Sequence, residues 1–164
     1  MGKSDDPVEA ARVLAISTWR RDFERDPELR RQVHDQEVGK FLASLKEELG
    51  RIPANLHDEH ALSASDDWKT LVLTEGQPQA ELVRCLIDTS NPGFLYFQYR
   101  WGLEEESKEE VRLARQGKDA YAWYQGGTAL HFSAVARLCL VQLCKHANSI
   151  IAAEVSFNPG VGIE

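Results

Sequence analysis

Apolar residues change their spacing along this chain, and the change divides it. From Val8 to Leu49 they recur every three or four positions: Val8, Ala11, Ala15, Trp19 and Phe23, then Leu29, Val33, Val38, Leu42, Leu45 and Leu49. That is the spacing of one helical face. Asp6-Pro7-Val8-Glu9 supplies a cap, a proline suited to the first helical position and an acid behind it, and Asp26-Pro27 repeats the start. The residue before a proline avoids helical angles, so the first helix should end at Asp26. Gly50 stands where the second should stop. A helical hairpin over 7–49 is predicted.

Residues 51–66 look like a connector, opened by Ile52-Pro53 and closed by Ser63-Ala64-Ser65-Asp66-Asp67. Three compact apolar runs follow: Leu71-Val72-Leu73, Leu82 to Ile87, and Phe94 to Trp101. The breaks between them, Glu75-Gly76-Gln77-Pro78 and Asn91-Pro92-Gly93, are turn-forming, so a three-stranded antiparallel meander is predicted over 68–101. The middle run has a helical alternative, because Pro78 also suits a first helical turn. Five of the eight residues from Phe94 to Trp101 are aromatic, which favours an extended chain. Period two then sets Leu95, Phe97, Tyr99 and Trp101 on one side, expected as core, and Phe94, Tyr96, Gln98 and Arg100 on the other. A helix packed over that second side is the simpler expectation; left open, it is a Tyr-plus-Arg recognition surface.

The stretch from Gly102 to Glu110 holds Glu104, Glu105, Glu106, Glu109 and Glu110 and is expected as a solvated loop entering a helix at Ser107. An aromatic cluster, Tyr121-Ala122-Trp123-Tyr124, is stopped by Gly126-Gly127. The last helix should run from about Thr128 to Ala153, within a helical region over 107–153. Phe132, Ala136, Cys139, Leu143 and Ile150 form its main stripe, and Leu138 and Val141 add apolar surface elsewhere, so burial on more than one side or a subunit seam is implied. Residues 156–164 form a tail. The whole is one α+β domain, 1–164: a helical hairpin, a three-stranded meander and a long buried C-terminal helix.

Composition narrows the classes. The chain has 164 residues, 43% apolar and 27% charged, as ordinary globular proteins do. A formal charge of -7 disfavours nucleic acid and favours basic partners. Ala129 to Leu143 is interrupted by His131, Arg137 and Gln142 and is no membrane span. Cys85, Cys139 and Cys144, an odd number set in apolar runs, are expected as reduced thiols of a cytoplasmic protein. The polar start Met1-Gly2-Lys3-Ser4-Asp5-Asp6 lacks a signal-peptide core, and Asp6 departs from the myristoylation pattern.

Candidate chemistry is sparse. His57-Asp58-Glu59-His60 is the most metal-like cluster, but a solvated polar connector is the expectation there, and it lacks the zinc-protease arrangement. Cys139 and Cys144 would point about 140° apart on a helix, which makes a metal site with His146 a poor fit. Arg51 and His57 have a ribonuclease-like spacing that Pro53 interrupts. Gln125-Gly126-Gly127-Thr128 is expected as a loop into a helix cap rather than an anion cradle. His131 and Ser133, two apart on a helix, should lie too far around it to form a nucleophile–base pair. Arg20, Arg21, Arg25, Arg30 and Arg31 are interleaved with Asp22, Glu24, Asp26 and Glu28 and should form a solvated helical surface. No cofactor is implied.

The expected function is therefore a non-catalytic cytoplasmic protein-binding module: an inhibitor, an immunity-type neutraliser, or a chaperone or adaptor. Tyr96, Gln98, Arg100 and Trp123 are its expected anchors, and Glu104, Glu105 and Glu106 would steer a basic partner. One alternative is a small enzyme or ligand binder, its pocket walled by Tyr96, Trp101, Tyr121, Trp123 and Tyr124 with Arg100 and His131 converging. The other is a homo-oligomer seamed on the final helix.

Overall fold

A computed structural model describes residues 6–52, 60–76, 78, 80–102 and 105–157. Among the described residues there are three helices and seven strands: α1 (Pro7–Arg25), α2 (Pro27–Arg51), β1 (Ala61–Ala64), β2 (Thr70–Glu75), β3 (Ala80–Asp88), β4 (Phe94–Trp101), β5 (Glu105–Arg115), β6 (Tyr121–Gln125), β7 (Thr128–Leu130) and α3 (Phe132–Phe157). The strands form one antiparallel sheet in the order of the sequence.

The helix starts follow their signals. Asp6 accepts the N–H of Val8 at 3.0 Å, and Asp26 accepts that of Leu29 at 3.0 Å. Asp26 also closes α1, its own N–H donating to Asp22 O at 3.2 Å, so one residue ends a helix and begins the next. Gly50 does not end α2, which runs one residue further, to Arg51, whose guanidinium is paired with Glu47 and Glu48. The helices are arranged otherwise than in the hairpin expected over 7–49. The buried apolar residues of α2 (Val33, Val38, Phe41, Leu45) join one core with α3, to which α1 adds its buried Phe23, and Leu29 is only partly buried. Val8, Val13 and Leu14 are 76%, 53% and 68% exposed.

The expected three-stranded meander is the centre of a seven-stranded sheet. β2, β3 and β4 form where anticipated, and the helical alternative for the middle run is wrong. The connector contributes β1, which pairs with β2 from Ala61↔Thr74 to Ala64↔Leu71. The larger correction is at 105–115, which is a strand rather than a loop and helix. Val111 and Leu113 are buried at alternate positions, and eight residues, Glu105 to Arg112, pair with β4. Its glutamates are tolerated because they lie at exposed or half-buried positions; Glu106, for example, stands opposite Arg100. The run 121–130 is a hairpin, not helix. Gly126, at φ 61°, takes the first central position of a two-residue turn between Gln125 and Thr128. That position suits glycine. α3 consequently begins at Phe132, not Thr128, and extends through Ser156 and Phe157, where a tail was expected.

Alternation sends Leu71, Leu73, Val83, Cys85, Ile87, Leu95, Phe97, Tyr99, Val111, Leu113 and Trp123 into the core. The side of β4 expected as core is core. α3 supplies Val135, Ala136, Cys139, Leu140, Leu143 and Ala147, and packs against α2 as well as the sheet. Its broad apolar circumference follows from these two neighbours. Phe41 meets Phe97 edge-on at 5.8 Å, and the Cys85 and Cys139 sulfurs stand 3.8 Å apart.

Candidate surface on the uncovered side of the sheet

Among the described residues, no helix is laid over the centre of the opposite side of β3, β4 and β5. Phe94, Tyr96 and Gln98 are half-buried there and Arg100 is exposed. The covering helix expected on this side is absent among the described residues because α2 and α3 both pack on the other side, and α1 docks at a corner. There Arg20 donates to the Tyr124 hydroxyl at 3.2 Å, Glu24 pairs with Arg112, and Phe23 meets Tyr121 at 5.4 Å between ring centroids.

The surface is ordered by its own cross-strand contacts. Phe94 and Tyr96 stack at 5.8 Å with an interplanar angle of 8°, and the Arg112 guanidinium lies 6.0 Å from the Phe94 ring centre. Asn91 Nδ2 donates to the Tyr96 hydroxyl at 3.0 Å. Gln98 Nε2 donates to Glu106 Oε2 at 2.7 Å, and Arg100 lies 3.8 Å from the same oxygen. Arg84 and Arg100 are directly opposite across β3 and β4, a repulsive placement that Glu81 and Glu106 offset by pairing with one arginine each. Between these groups lies a hollow of about 500 Å³ lined by Leu86, Asp88, Tyr96, Gln98, Lys108 and Glu110, among others. Asp88 accepts from the Ser90 hydroxyl and N–H, which holds its carboxyl below the usual range.

Of the residues singled out from sequence, Tyr96, Gln98, Arg100 and Glu106 come together. Glu105 is exposed but, opposite Trp101, its side chain leaves β5 on the other side of the sheet. Glu104 lies outside the described residues. Trp123 does not belong: it is 1% exposed, on the core side opposite Leu113, and is no surface anchor. The same alternation dismantles the proposed aromatic pocket. Tyr96, Arg100 and Tyr124 are on the uncovered side, while Trp101, Tyr121 and Trp123 point to the other, so no single cavity collects them. Arg100 is next to last in β4 whereas His131 follows β7 near the beginning of β4, so the two do not converge.

The remaining candidates resolve locally. His131 and Ser133 are closer than expected, with Nδ1 2.7 Å from the Ser133 hydroxyl, because His131 caps α3 from outside the helix. The same nitrogen accepts the Ser133 N–H at 3.3 Å, so the pair has the geometry of a cap. His57 is outside the described residues, and His60 Nε2 lies 3.6 Å from Glu75 across the first strand pair. Among the described residues no three His, Cys, Asp or Glu side chains are grouped to hold a metal. Cys139 points to Cys85, and burial raises the Cys144 pKa. His146 stacks on Trp101 at 4.5 Å; burial lowers its pKa, against an opposing pull from Glu109. Among the described residues no helix is long and apolar enough to cross a membrane.

The polar group that sequence reasoning passed over is His34. It is 3% exposed; its Nδ1 accepts the Gly93 N–H at 3.0 Å, and its Nε2 faces Thr89 O at 2.7 Å. An acceptor at one nitrogen leaves the proton on the other, so the ring is the neutral Nε2–H form and ties α2 to the β3–β4 turn. Its position one turn before Val38 was the available signal. No protein-family model, no curated protein and no solved structure matches this chain.

Proposed function

We propose that this chain is a non-catalytic protein-binding module acting in the cytoplasm, as an inhibitor, an immunity-type neutraliser or a chaperone-like adaptor. The recognition surface is the uncovered side of β3, β4 and β5. The observation that carries the reading is the stacked Phe94–Tyr96 pair, half-exposed beside a hollow of about 500 Å³ on a rigid sheet. Rigid aromatic anchors of this kind, ringed by polar groups, dominate many protein interfaces. Tyr96 is the anchor, Gln98 and Arg100 orient the partner, and Glu106 on this side, with Glu105 leaving the same strand on the other, steers a basic one toward the surface. Free thiols at Cys85, Cys139 and Cys144 suit a reducing compartment.

The test is affinity capture from lysate of the source cell, comparing wild type with a Tyr96→Ala, Glu105→Lys, Glu106→Lys variant. At least one basic protein should be retained by the first and lost from the second. Equal recovery of every captured protein overturns the reading. Self-association through α3 is the second reading, supported by Val141, which is 46% exposed. A monomer in sedimentation at high concentration excludes it.

A further inference from the structure

β5 is eleven residues long, yet its two neighbours use different parts of it. β4 pairs with Glu105 to Arg112, whereas β6 pairs only with Arg112 to Arg115. The side facing away from β4 is therefore open from Glu105 to Val111 among the described residues. Leu113 donates its main-chain N–H to Gly93 O at 2.7 Å. In an antiparallel ladder alternate residues turn both main-chain groups toward the same neighbour. Counting back in twos, Val111, Glu109, Ser107 and Glu105 bond to β4. Glu110, Lys108 and Glu106 turn their N–H and C=O groups to the open side.

Main-chain donors and acceptors repeating at every second residue are complementary to another extended main chain. The terminal strands offer less, since β1 has four residues and β7 three. The side chains select the occupant. Residues 105–110 carry four carboxylates (Glu105, Glu106, Glu109, Glu110) against one ammonium, Lys108. Two copies of this edge repel each other, and a basic segment is attracted. Lys108 is 70% exposed and Glu106 44%, so the approach is clear.

We propose that the free edge of β5, from Glu106 to Glu110, takes up an extended basic segment of a partner protein as an added strand, with lysine or arginine four positions apart, beside Glu106 and Glu110. The proposal rests on the reading of the neighbouring surface as a protein-binding one and names the mode of binding at its rim.

The probe is a capped peptide, Lys-Val-Thr-Val-Lys-Val, titrated into isotope-labelled protein with amide exchange read by NMR. Exchange should slow at Glu106, Lys108 and Glu110. A peptide N-methylated at alternate residues, equal in charge but lacking half its donors, should bind at least about tenfold more weakly. So should a glutamate-for-lysine version. Lys108→Pro removes an edge-facing N–H that makes no bond to β4, so the sheet should survive while the peptide is lost to a similar degree. Equal binding by the N-methylated peptide, protection at β1 or β7 instead, or no slowing up to the peptide's solubility limit overturns the proposal. So does binding that requires deletion of residues 158–164, which would assign the edge to the chain's own tail. Peptide loss on Tyr96→Ala with full retention on Lys108→Pro would sink strand addition and leave the surface reading standing. Unchanged lysate capture by the triple variant would sink the surface reading instead.

Discussion

Leu95, Phe97 and Tyr99 leave β4 on one side, Phe94, Tyr96 and Gln98 on the other, and the two sets receive different treatment. The first lies beneath α2 and α3 and is buried. The second is built from equally large rings but meets no helix at its centre, and instead stacks within itself and surrounds itself with arginine and glutamate. Ring content alone therefore does not mark a core side. The neighbouring strands separate the two only in part. β3 places Cys85 and Ile87 beside the first set and Leu86 and Asp88 beside the second. β5 places Glu109 and Ser107 as well as Val111 beside the first, and Lys108 and Glu110 beside the second, so the helices packed on one side complete the distinction.

The contrast can be broken hardest from the covered side. Phe97→Ala removes the ring that meets Phe41 and should cost about 3–5 kcal/mol in urea unfolding. His34→Ala comes next. It leaves the Gly93 N–H and the Thr89 carbonyl without their buried partner, at an expected cost of about 2–3 kcal/mol by the same measurement. Gly93→Ala forces a side chain into a backbone at φ 92°, with Arg30 Cδ 3.2 Å from the new methyl, and should cost about 1–2 kcal/mol. Tyr96→Ala, on the uncovered side, should cost less than about 1 kcal/mol of stability, as surface changes do, while weakening partner capture. If Tyr96→Ala proves as destabilising as Phe97→Ala, the two sides are equivalent and the recognition surface is lost.

The smallest expected effect is on pH dependence. Burial holds His146 below its ordinary 6.5, so the unfolded chain binds a proton there more readily than the folded one. Stability should fall as pH drops through the interval just below 6.5, and His146→Phe should flatten that part of the curve. Asp88 acts further down: its depressed carboxyl pKa contributes stability above the ordinary 3.8, lost as pH falls through the folded value. Unfolding midpoints measured across pH 3–7 test both.

Helix starts were legible because Asp6-Pro7 and Asp26-Pro27 act within one turn. The extension of Phe94 to Trp101 was legible because its alternation is local too. The strand at 105–115 was hidden by its glutamates, since a charged strand is recognisable only once Arg100 and Gln98 are known to stand opposite Glu106 and Lys108. Gly126-Gly127 marked a boundary correctly but not its kind, hairpin rather than helix start. Trp123 was misplaced because an aromatic cluster does not reveal which member faces inward. Of the candidate surface, Tyr96, Gln98, Arg100 and Glu106 were within reach of sequence reasoning; the hollow lined by Leu86, Asp88 and Lys108 needed three strands in register.

Sheet neighbours in this protein are always consecutive in the chain, so each strand can zip onto the one made just before it. Such short-range closures are kinetically cheap. The helix that seals the apolar side, however, comes after every strand, and α2, ending at Arg51, must wait for it until Phe132. During synthesis the apolar side of the sheet can therefore be covered only in part, by α2 through Phe41 on Phe97, until α3 leaves the ribosome, and in that interval the nascent chain is open to chaperones.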